Sequence, residues 1–437
     1  MIYMRNITIT TAKSATYLEN VGLSTVIITI IFSAFIGITY GFSMDLFAML
    51  IPDMMKGIGF NYVETGGIAS IARIGFLLAS LLAGFAAPRI GAGRTIIVAV
   101  LLSVLAQMGM GFSQSVWAVY ACAFVLGLCS SLVYVPMVAV VTNTIPFEHR
   151  AKVFGIISSG QSYGNFSVGM AIPVLLPIAG WRSIWLVVAG VSATIAVLSV
   201  VYLWRNGVIE RRVTPADGSS TRAEGSASKP KVKFAALLNP QSIMIWLIML
   251  FSGVVTYPFQ TYISPYIQDE LGLSVNLAGN LWSIIGFVGM WGGFVMGFIA
   301  DRYGIRTALI ICYVAMLFAA ILMFFHLDTY SLMAAAALFG LAYFSMYGLF
   351  PSYISKSFDA LSATTVFGVA NVLLGLSTTI GSFLGGLAKT SFGTFGPVYL
   401  SIAAISIILI LLTAFLKREG ADEATVSVDD AMPVPAK

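Results

Sequence analysis

Long apolar segments separated by short polar stretches make up most of the chain. Twelve such segments lie at about 22–51, 64–87, 95–113, 115–142, 153–178, 182–204, 241–267, 276–300, 307–326, 330–355, 363–389 and 396–416. Each is near or above the roughly 20 residues that an α-helix needs to cross a bilayer. The pattern therefore predicts an all-α membrane protein with twelve transmembrane helices.

The second half of the sequence repeats the first at a constant offset. A shift of 213 residues aligns Pro52 with Pro265, and it also aligns Gly180 with Gly393. A constant register across several loops predicts two related, pseudo-symmetric six-helix bundles. We place these bundles at residues 22–204 and 241–416.

Three polar stretches lie outside the two bundles: an N-terminal segment (1–21), a linker (205–240) and a C-terminal tail (417–437). The middle of the linker is rich in Ser, Gly, Ala, Pro and charged residues, so it is expected to be a flexible tether. With both termini placed in the cytoplasm, 19 Lys and Arg residues fall on the cytoplasmic side and three on the other. The positive-inside rule therefore predicts a plasma (inner) membrane protein with cytoplasmic termini.

The composition excludes several classes of function. The chain is 59% hydrophobic and only 9% charged, whereas a soluble domain has roughly 25% charged residues. The net charge of +5 follows from the topology, so no nucleic-acid partner is expected. The sequence has no phosphate-binding loop and no metal-ligand spacing. We therefore expect no enzyme activity and no cofactor, and we expect a monomer solvated by the lipid bilayer.

The loop between the eighth and ninth segments carries a motif of five spaced residues. Gly297, Asp301, Arg302, Gly304 and Arg306 match the pattern G-x-x-x-D-R-x-G-x-R. This loop is similar to the signature loop of the major facilitator superfamily. Together with the repeat, the resemblance covers about residues 22 to 418.

The equivalent loop of the first half is degraded. Gly84, Arg89 and Gly91 are kept, but Pro88 stands where the pattern has an acidic residue. The resemblance implies the superfamily fold, alternating access, and a latch at these loops that closes the cytoplasmic side. The alternative is that the loops only anchor the topology through their positive charge.

Only two charged side chains lie deep inside apolar segments: Asp45 in the first and Arg73 in the second. A charge at membrane depth costs about 2.5 to 3.5 kcal/mol on translocon scales, so such residues indicate function. Their positions in the repeat hold Pro258 and Gly286. The first half therefore carries the charge chemistry.

The pair of charges is open to three interpretations. In the first, Arg73 binds a carboxylate or another anion, and Asp45 takes up and releases a proton. In the second, Asp45 attracts a cationic substrate and Arg73 balances its charge. In the third, the two residues neutralise each other as a structural ion pair.

Uncharged polar residues on the apolar segments complete the candidate site. They could contact a substrate or form interhelical hydrogen bonds, and they are Tyr134, Gln161, Asn165, Tyr257, Gln260, Tyr347 and Asn371. Tyr134 and Tyr347 are equivalent in the repeat. Pro258, next to Tyr257, is expected to weaken the seventh helix locally.

These features predict a secondary active transporter, with proton-coupled transport of a small organic anion such as a carboxylate as the leading hypothesis. The alternative is a proton-linked exporter of drugs or metabolites. A receptor or scaffold that transports nothing is a third class, but it would not explain charges kept inside the bilayer.

Overall fold

A computed structural model describes residues 25–144, 153, 156–206, 239–358 and 360–417, with the backbone alone at 81, 83–90, 138–139, 142–144, 355 and 360–365. The predicted N-terminal segment, most of the linker and nearly all of the tail lie outside these residues. Their predicted roles remain predictions.

The described chain is helical and contains no β-strand. It has 11 helical segments that are long and apolar enough to cross a membrane. One of these, Ile156–Arg205, is interrupted at Gly180 (φ 71°, ψ 165°) and therefore consists of two helices. The twelve helices predicted from the sequence are thus confirmed.

We number the helices in chain order. They are α1 (Thr25–Ile58), α2 (Tyr62–Ile90), α3 (Ala92–Phe112), α4 (Val116–Thr144), α5 (156–179), α6 (181–205), α7 (Pro240–Glu270), α8 (Val275–Tyr303), α9 (Ile305–Phe325), α10 (Thr329–Ser357), α11 (Ala360–Phe392) and α12 (Gly396–Ala414).

The internal repeat is visible in the backbone. Six glycines have positive φ values, between 65° and 99°, at breaks between consecutive helices. They form three pairs, each separated by the 213 residues of the repeat: Gly59 and Gly272, Gly91 and Gly304, and Gly180 and Gly393. Glycine adopts this region without the steric cost that a Cβ would add. The same turn is therefore kept at the same place in both bundles.

The two bundles, called here the N half (25–206) and the C half (239–417), pack mainly through α2 against α11 and α5 against α8. We call the end of the molecule where the linker joins them the linker face. The opposite end, which carries the turns 59–61 and 271–274, is the distal face.

Polar contacts close the distal face between the halves. Asp269 of α7 accepts a hydrogen bond from the Tyr62 hydroxyl (2.8 Å) and pairs with Lys56 (3.4 Å). Deeper in the membrane, the Ser70 hydroxyl donates to the carbonyl of Thr379 (2.8 Å). Among the described residues, every hydrogen bond and ion pair that joins the two halves lies at the distal face or between that face and Asp45 of α1. The conformation is therefore closed on the distal side.

The signature loop at the linker face makes its described contacts within the C half. Asp301 lies 3.9 Å from Lys356 of α10, and Arg306 donates to the carbonyl of Leu416 (3.1 Å). The guanidinium of Arg302 lies 5.5 Å from the ring centroid of Tyr303. A Cβ added at Gly297 would meet open space.

In the first half, Gly91 makes the same positive-φ turn as Gly304. The environments of Gly84 and Arg89 fall outside the described side chains. The latch therefore remains a prediction.

Close backbone packing holds α1 against α5. A Cβ built on Gly41 would lie 2.7 Å from the Cα of Gly164, and one on Gly37 would lie 3.2 Å from the carbonyl oxygen of Gly160. Small residues allow this approach, which strengthens helix packing in lipid. The two helices are thus fixed together within the N half.

We expect Gly41→Ala to destabilise the protein although alanine favours helix formation. The added methyl group meets the backbone of Gly164 and forces the helices apart, at a cost of about 1–3 kcal/mol. Thermal unfolding of the purified protein measures the effect. Gly190→Ala on α6 is the control, since a Cβ there meets nothing within 4 Å. Equal melting temperatures for the two variants would contradict the packing argument.

Candidate functional site

The site begins with an irregular stretch of α1. Residues Gly37–Asp45 form a π-helix, a geometry that is often found at functional positions. The amide of Gln107 on α3 donates to the carbonyl of Ile38 (3.1 Å) and to the Ser43 hydroxyl (3.0 Å). Ser130 of α4 donates to the carbonyl of Thr39 (2.7 Å). Side chains from two neighbouring helices therefore stabilise the segment that ends at Asp45.

Pro258 does not break α7, and its local weakening of that helix remains a prediction. The α-helix runs through this residue from Pro240 to Pro265, and the irregular turns lie in α1 and at the end of α7. The proline ring lies beside Gly381 and Gly385 of α11. These glycines leave room for the ring, so the neighbouring helix supports α7 at this point.

Asp45 is a buried carboxylate that joins the two halves. Its side chain is 1% exposed. One oxygen, Oδ2, accepts a hydrogen bond from Gln161 of α5 (2.9 Å), and Oδ1 accepts one from Gln260 of α7 (2.7 Å). Each carboxylate oxygen thus has an amide donor from a different half.

Arg73 is a partly buried cation that also meets α7. Its guanidinium carbon lies 3.9 Å from the ring centroid of Tyr257, a cation–π contact. Tyr257 and Gln260 are three residues apart and share one face of α7. No described carboxylate lies within 4.0 Å of the guanidinium. The direct ion pair between Asp45 and Arg73, one of the three interpretations, is therefore not formed in this conformation.

A group of aromatic rings continues from Tyr257 along α10. Tyr343 meets the ring of Tyr257 edge-on (6.2 Å between centroids) and that of Tyr347 (5.3 Å). Phe339 stacks on the other side of Tyr343 (5.4 Å). Tyr343 was not predicted, although it lies four residues before Tyr347 and so on the same helical face.

Tyr40 of α1 is a second residue that the sequence did not indicate. It lies near Tyr134, Tyr257, Arg73 and Asp45. Tyr134, which is 42% exposed, therefore lies at the edge of this group. A tyrosine in an apolar helix is not distinctive, and only the fold shows which ones converge.

The remaining predicted residues differ in placement. Asn165 of α5 is fully buried beside Asp45. Asn371 is not part of the cluster: it is exposed, and its amide donates to the carbonyl of Phe367 in its own helix (2.9 Å). Its predicted contact with a substrate remains a prediction. The side-chain amide of an asparagine can donate to a backbone carbonyl of its own helix, and the sequence does not reveal when it does so.

Asp45 and Arg73 line one central cavity between the halves. Its wall is otherwise mostly apolar and includes Phe47, Ala72 and Leu126, with Gln260 on the opposite side. A fixed cation and a carboxylate in an apolar cavity can bind an anion and carry a proton. Among the described residues, no group of three or more His, Cys, Asp or Glu side chains could hold a metal ion.

We expect Gln107→Leu to destabilise the protein. The substitution removes the amide that donates to the Ser43 hydroxyl and to the carbonyl of Ile38, and it leaves that carbonyl with the Ser43 hydroxyl as its only side-chain donor among the described residues, at a cost of about 1–3 kcal/mol. Thermal unfolding tests this expectation, with Asn371→Leu as a control that removes only an exposed bond within one helix. If both variants unfold at the temperature of the wild-type protein, Gln107 does not support the π-helix.

The fold and the sequence were compared with known proteins. Residues 33–382 match the family model of the Major Facilitator Superfamily. A cis,cis-muconate transport protein of Acinetobacter baylyi is 22% identical over 383 residues, covering 85% of this chain and 91% of the relative. A hexuronate transporter of Bacillus subtilis is 23% identical over 370 residues, covering 82% and 86%.

A solved structure shows the same fold at lower sequence similarity. The crystal structure of a point mutant of the nucleoside transporter NupG superposes with a TM-score of 0.73 at 13% identity, covering 89% of this chain and 99% of that chain. The helices, the repeat and the central cavity define a multi-pass membrane transporter rather than an enzyme. The chain belongs to the Major Facilitator Superfamily.

Proposed function

We propose that this protein is a secondary active transporter that couples the movement of a small organic carboxylate to that of a proton by alternating access. The observation that carries the proposal is Arg73, a cation at membrane depth on the cavity wall with no described carboxylate within 4.0 Å. The muconate and hexuronate transporters named above carry carboxylates, which supports the same substrate class.

Arg73 is the proposed substrate anchor. A guanidinium offers several N–H donors in one plane and can hold a carboxylate through two parallel hydrogen bonds. Tyr257 covers one face of the guanidinium, which fixes its plane. The free edge of the guanidinium would then donate hydrogen bonds to an anion in the cavity, while nearby rings such as that of Tyr343 provide an apolar wall.

Asp45 is the proposed proton carrier. It is the buried carboxylate of the site, and its described partners are neutral amides rather than a cation. An ionised carboxylate without a paired cation is costly to bury. Taking up a proton removes this cost, so the residue can exchange a proton when the cavity reaches water.

The topology sets how the site is reached. With the distal face closed by Asp269 and its partners, exchange with water takes place from the linker side. We place the linker and both termini in the cytoplasm of a monomer in the plasma (inner) membrane, as the distribution of Lys and Arg predicts. The proton and the substrate would then leave toward the cytoplasm from this conformation.

We expect Arg73→Lys to weaken carboxylate binding by about 10- to 100-fold, which corresponds to about 1.4 to 2.8 kcal/mol. The charge is kept, but the planar pair of donors is lost. Titration calorimetry with a muconate-like dicarboxylate and a hexuronate measures the change. Arg182→Lys is the matched control, because Arg182 lies by the distal end of α3 and bonds the carbonyl of Ser113. Unchanged affinity in Arg73→Lys would remove this residue from the substrate site.

We expect Asp45→Asn to abolish proton-driven accumulation of the carboxylate while leaving exchange of labelled for unlabelled substrate intact. Asparagine keeps the shape of the side chain but cannot bind and release the proton. Both assays use proteoliposomes, with Asp53→Asn as a control on the same helix. Loss of both activities in Asp45→Asn alone would indicate a structural role, and transport of hydrophobic cations instead of carboxylates would favour the exporter.

A further inference from the structure

We infer that Gln260 is the positioning residue that makes the proton affinity of Asp45 depend on which face of the transporter is closed. The inference rests on the proposed function, because it assumes that Asp45 carries the proton. It assigns Gln260 to coupling, whereas the sequence pointed to it as a substrate contact.

The two amide donors of Asp45 belong to different halves. Gln161 lies on α5, which is packed against α1 at backbone distance through Gly41 and Gly164. Its hydrogen bond to Asp45 is therefore a contact within the N half. Gln260 lies on α7 and reaches the same carboxylate from the C half.

Helix α7 is tied to the C half by several hydrogen bonds. Tyr266 donates to the carbonyl of Met323 on α9 (2.6 Å), Tyr262 donates to the carbonyl of Ser382 on α11 (2.6 Å), and Trp282 of α8 donates to Ser264 (2.9 Å). Gln260 lies between these bonds and Ser252 of the same helix, whose hydroxyl is hydrogen-bonded to that of Tyr313 on α9 (2.7 Å). A rotation of the halves that opens the distal face therefore carries Gln260 away from Asp45.

The direction of the effect follows from the donors. A carboxylate that accepts an N–H at each oxygen is stabilised in its ionised form. In the distal-closed conformation Asp45 has a donor from each half, and when the distal face opens it loses the C-half donor Gln260 and keeps Gln161 of the N half. Asp45 therefore binds its proton more tightly while the distal face is open and releases it after closure, which is the order that symport toward the linker side requires.

The inference can be tested without substrate, because the ionisation of Asp45 and the closure of the distal face are thermodynamically linked. Because the distal-closed conformation favours ionised Asp45, raising the pH must increase its population. The titratable or charged groups near Asp45 are Arg73 on α2, Tyr40 on α1 and Tyr343 on α10, and Tyr257 on α7 lies against Arg73. Arginine stays charged and tyrosine stays neutral in ordinary solution near neutral pH, so Asp45 is the expected sensor.

The experiment measures the distance across the distal face in the full-length protein in lipid nanodiscs between pH 5 and pH 9. Spin labels at Asn61→Cys and Leu273→Cys, two exposed turn positions, report on the two halves after the natural cysteines 122, 129 and 312 are replaced. Wild-type protein should shift toward the short distance with rising pH, by about 10-fold in population ratio, within the usual range of allosteric coupling.

Two glutamine variants distinguish a donor that is lost when the distal face opens from a donor that is present in both conformations. Gln260→Met keeps the volume and removes the donor from the C half, so the pH response should fall to less than about 2-fold, well below ordinary coupling. Gln161→Met removes the donor that is present in both conformations. Its response should keep its amplitude and move to higher pH. If Gln260→Met does not fold, Gln260→Asn serves, since its shorter side chain also fails to reach Asp45.

Clear outcomes would overturn the inference. A wild-type response in Gln260→Met, or equal loss of the response in Gln161→Met, would show that the bond across the halves does not set the proton affinity. A response that persists in Asp45→Asn would assign it to Asp53, Asp269 or His326 near the distal face. Carboxylate transport without proton movement in the wild-type protein would refute the proposed function instead.

Discussion

One face of α7 meets both charged side chains of the site, Asp45 and Arg73, and the rest of the site depends on this contact. Gln260 donates to Asp45, and the ring of Tyr257 lies against Arg73. Each charge of one half is therefore stabilised by a neutral polar group of the other. A buried ion pair would fix the two charges to each other, whereas this arrangement leaves both free to respond to a ligand or a proton.

The surrounding structure holds α1 and α7 in the positions that this contact requires. The π-helical segment of α1 ends at Asp45 and is supported by Gln107 and Ser130, while the close approach of Gly41 to α5 fixes it within the N half. On the other side, α7 is bonded to its own half and closes the distal face through Asp269. The halves thus meet through the packing of α2 on α11 and of α5 on α8 and through a few polar contacts, and the proposed alternating access would move them against each other around the central site.

The sequence was sufficient to predict the membrane helices, the repeat and the presence of Asp45 and Arg73 within the helix bundle, because hydropathy and the cost of a buried charge are local properties. It could not assign the partners of those charges. Gln161 and Gln260 were recognised as unusual, but their rotation toward Asp45 depends on how α1, α5 and α7 pack. Asn371 was selected by the same argument and lies elsewhere, bonded within its own helix.

The π-helix was missed for a similar reason. Its glycines are compatible with a regular helix, and the side chains that stabilise the displaced carbonyls come from α3 and α4, more than 60 residues away in the chain. Tyr40 and Tyr343 join the site only through tertiary packing. Residue type indicated which groups were costly to bury, and the fold determined which of them meet.

The most direct test of the account is whether a carboxylate carries a proton with it through the wild-type protein. Proteoliposomes loaded with a pH-sensitive dye, without an imposed ion gradient, would be exposed to an external dicarboxylate or hexuronate. The account predicts acidification of the interior in step with substrate uptake. Uptake of the carboxylate with no change in internal pH would contradict proton coupling.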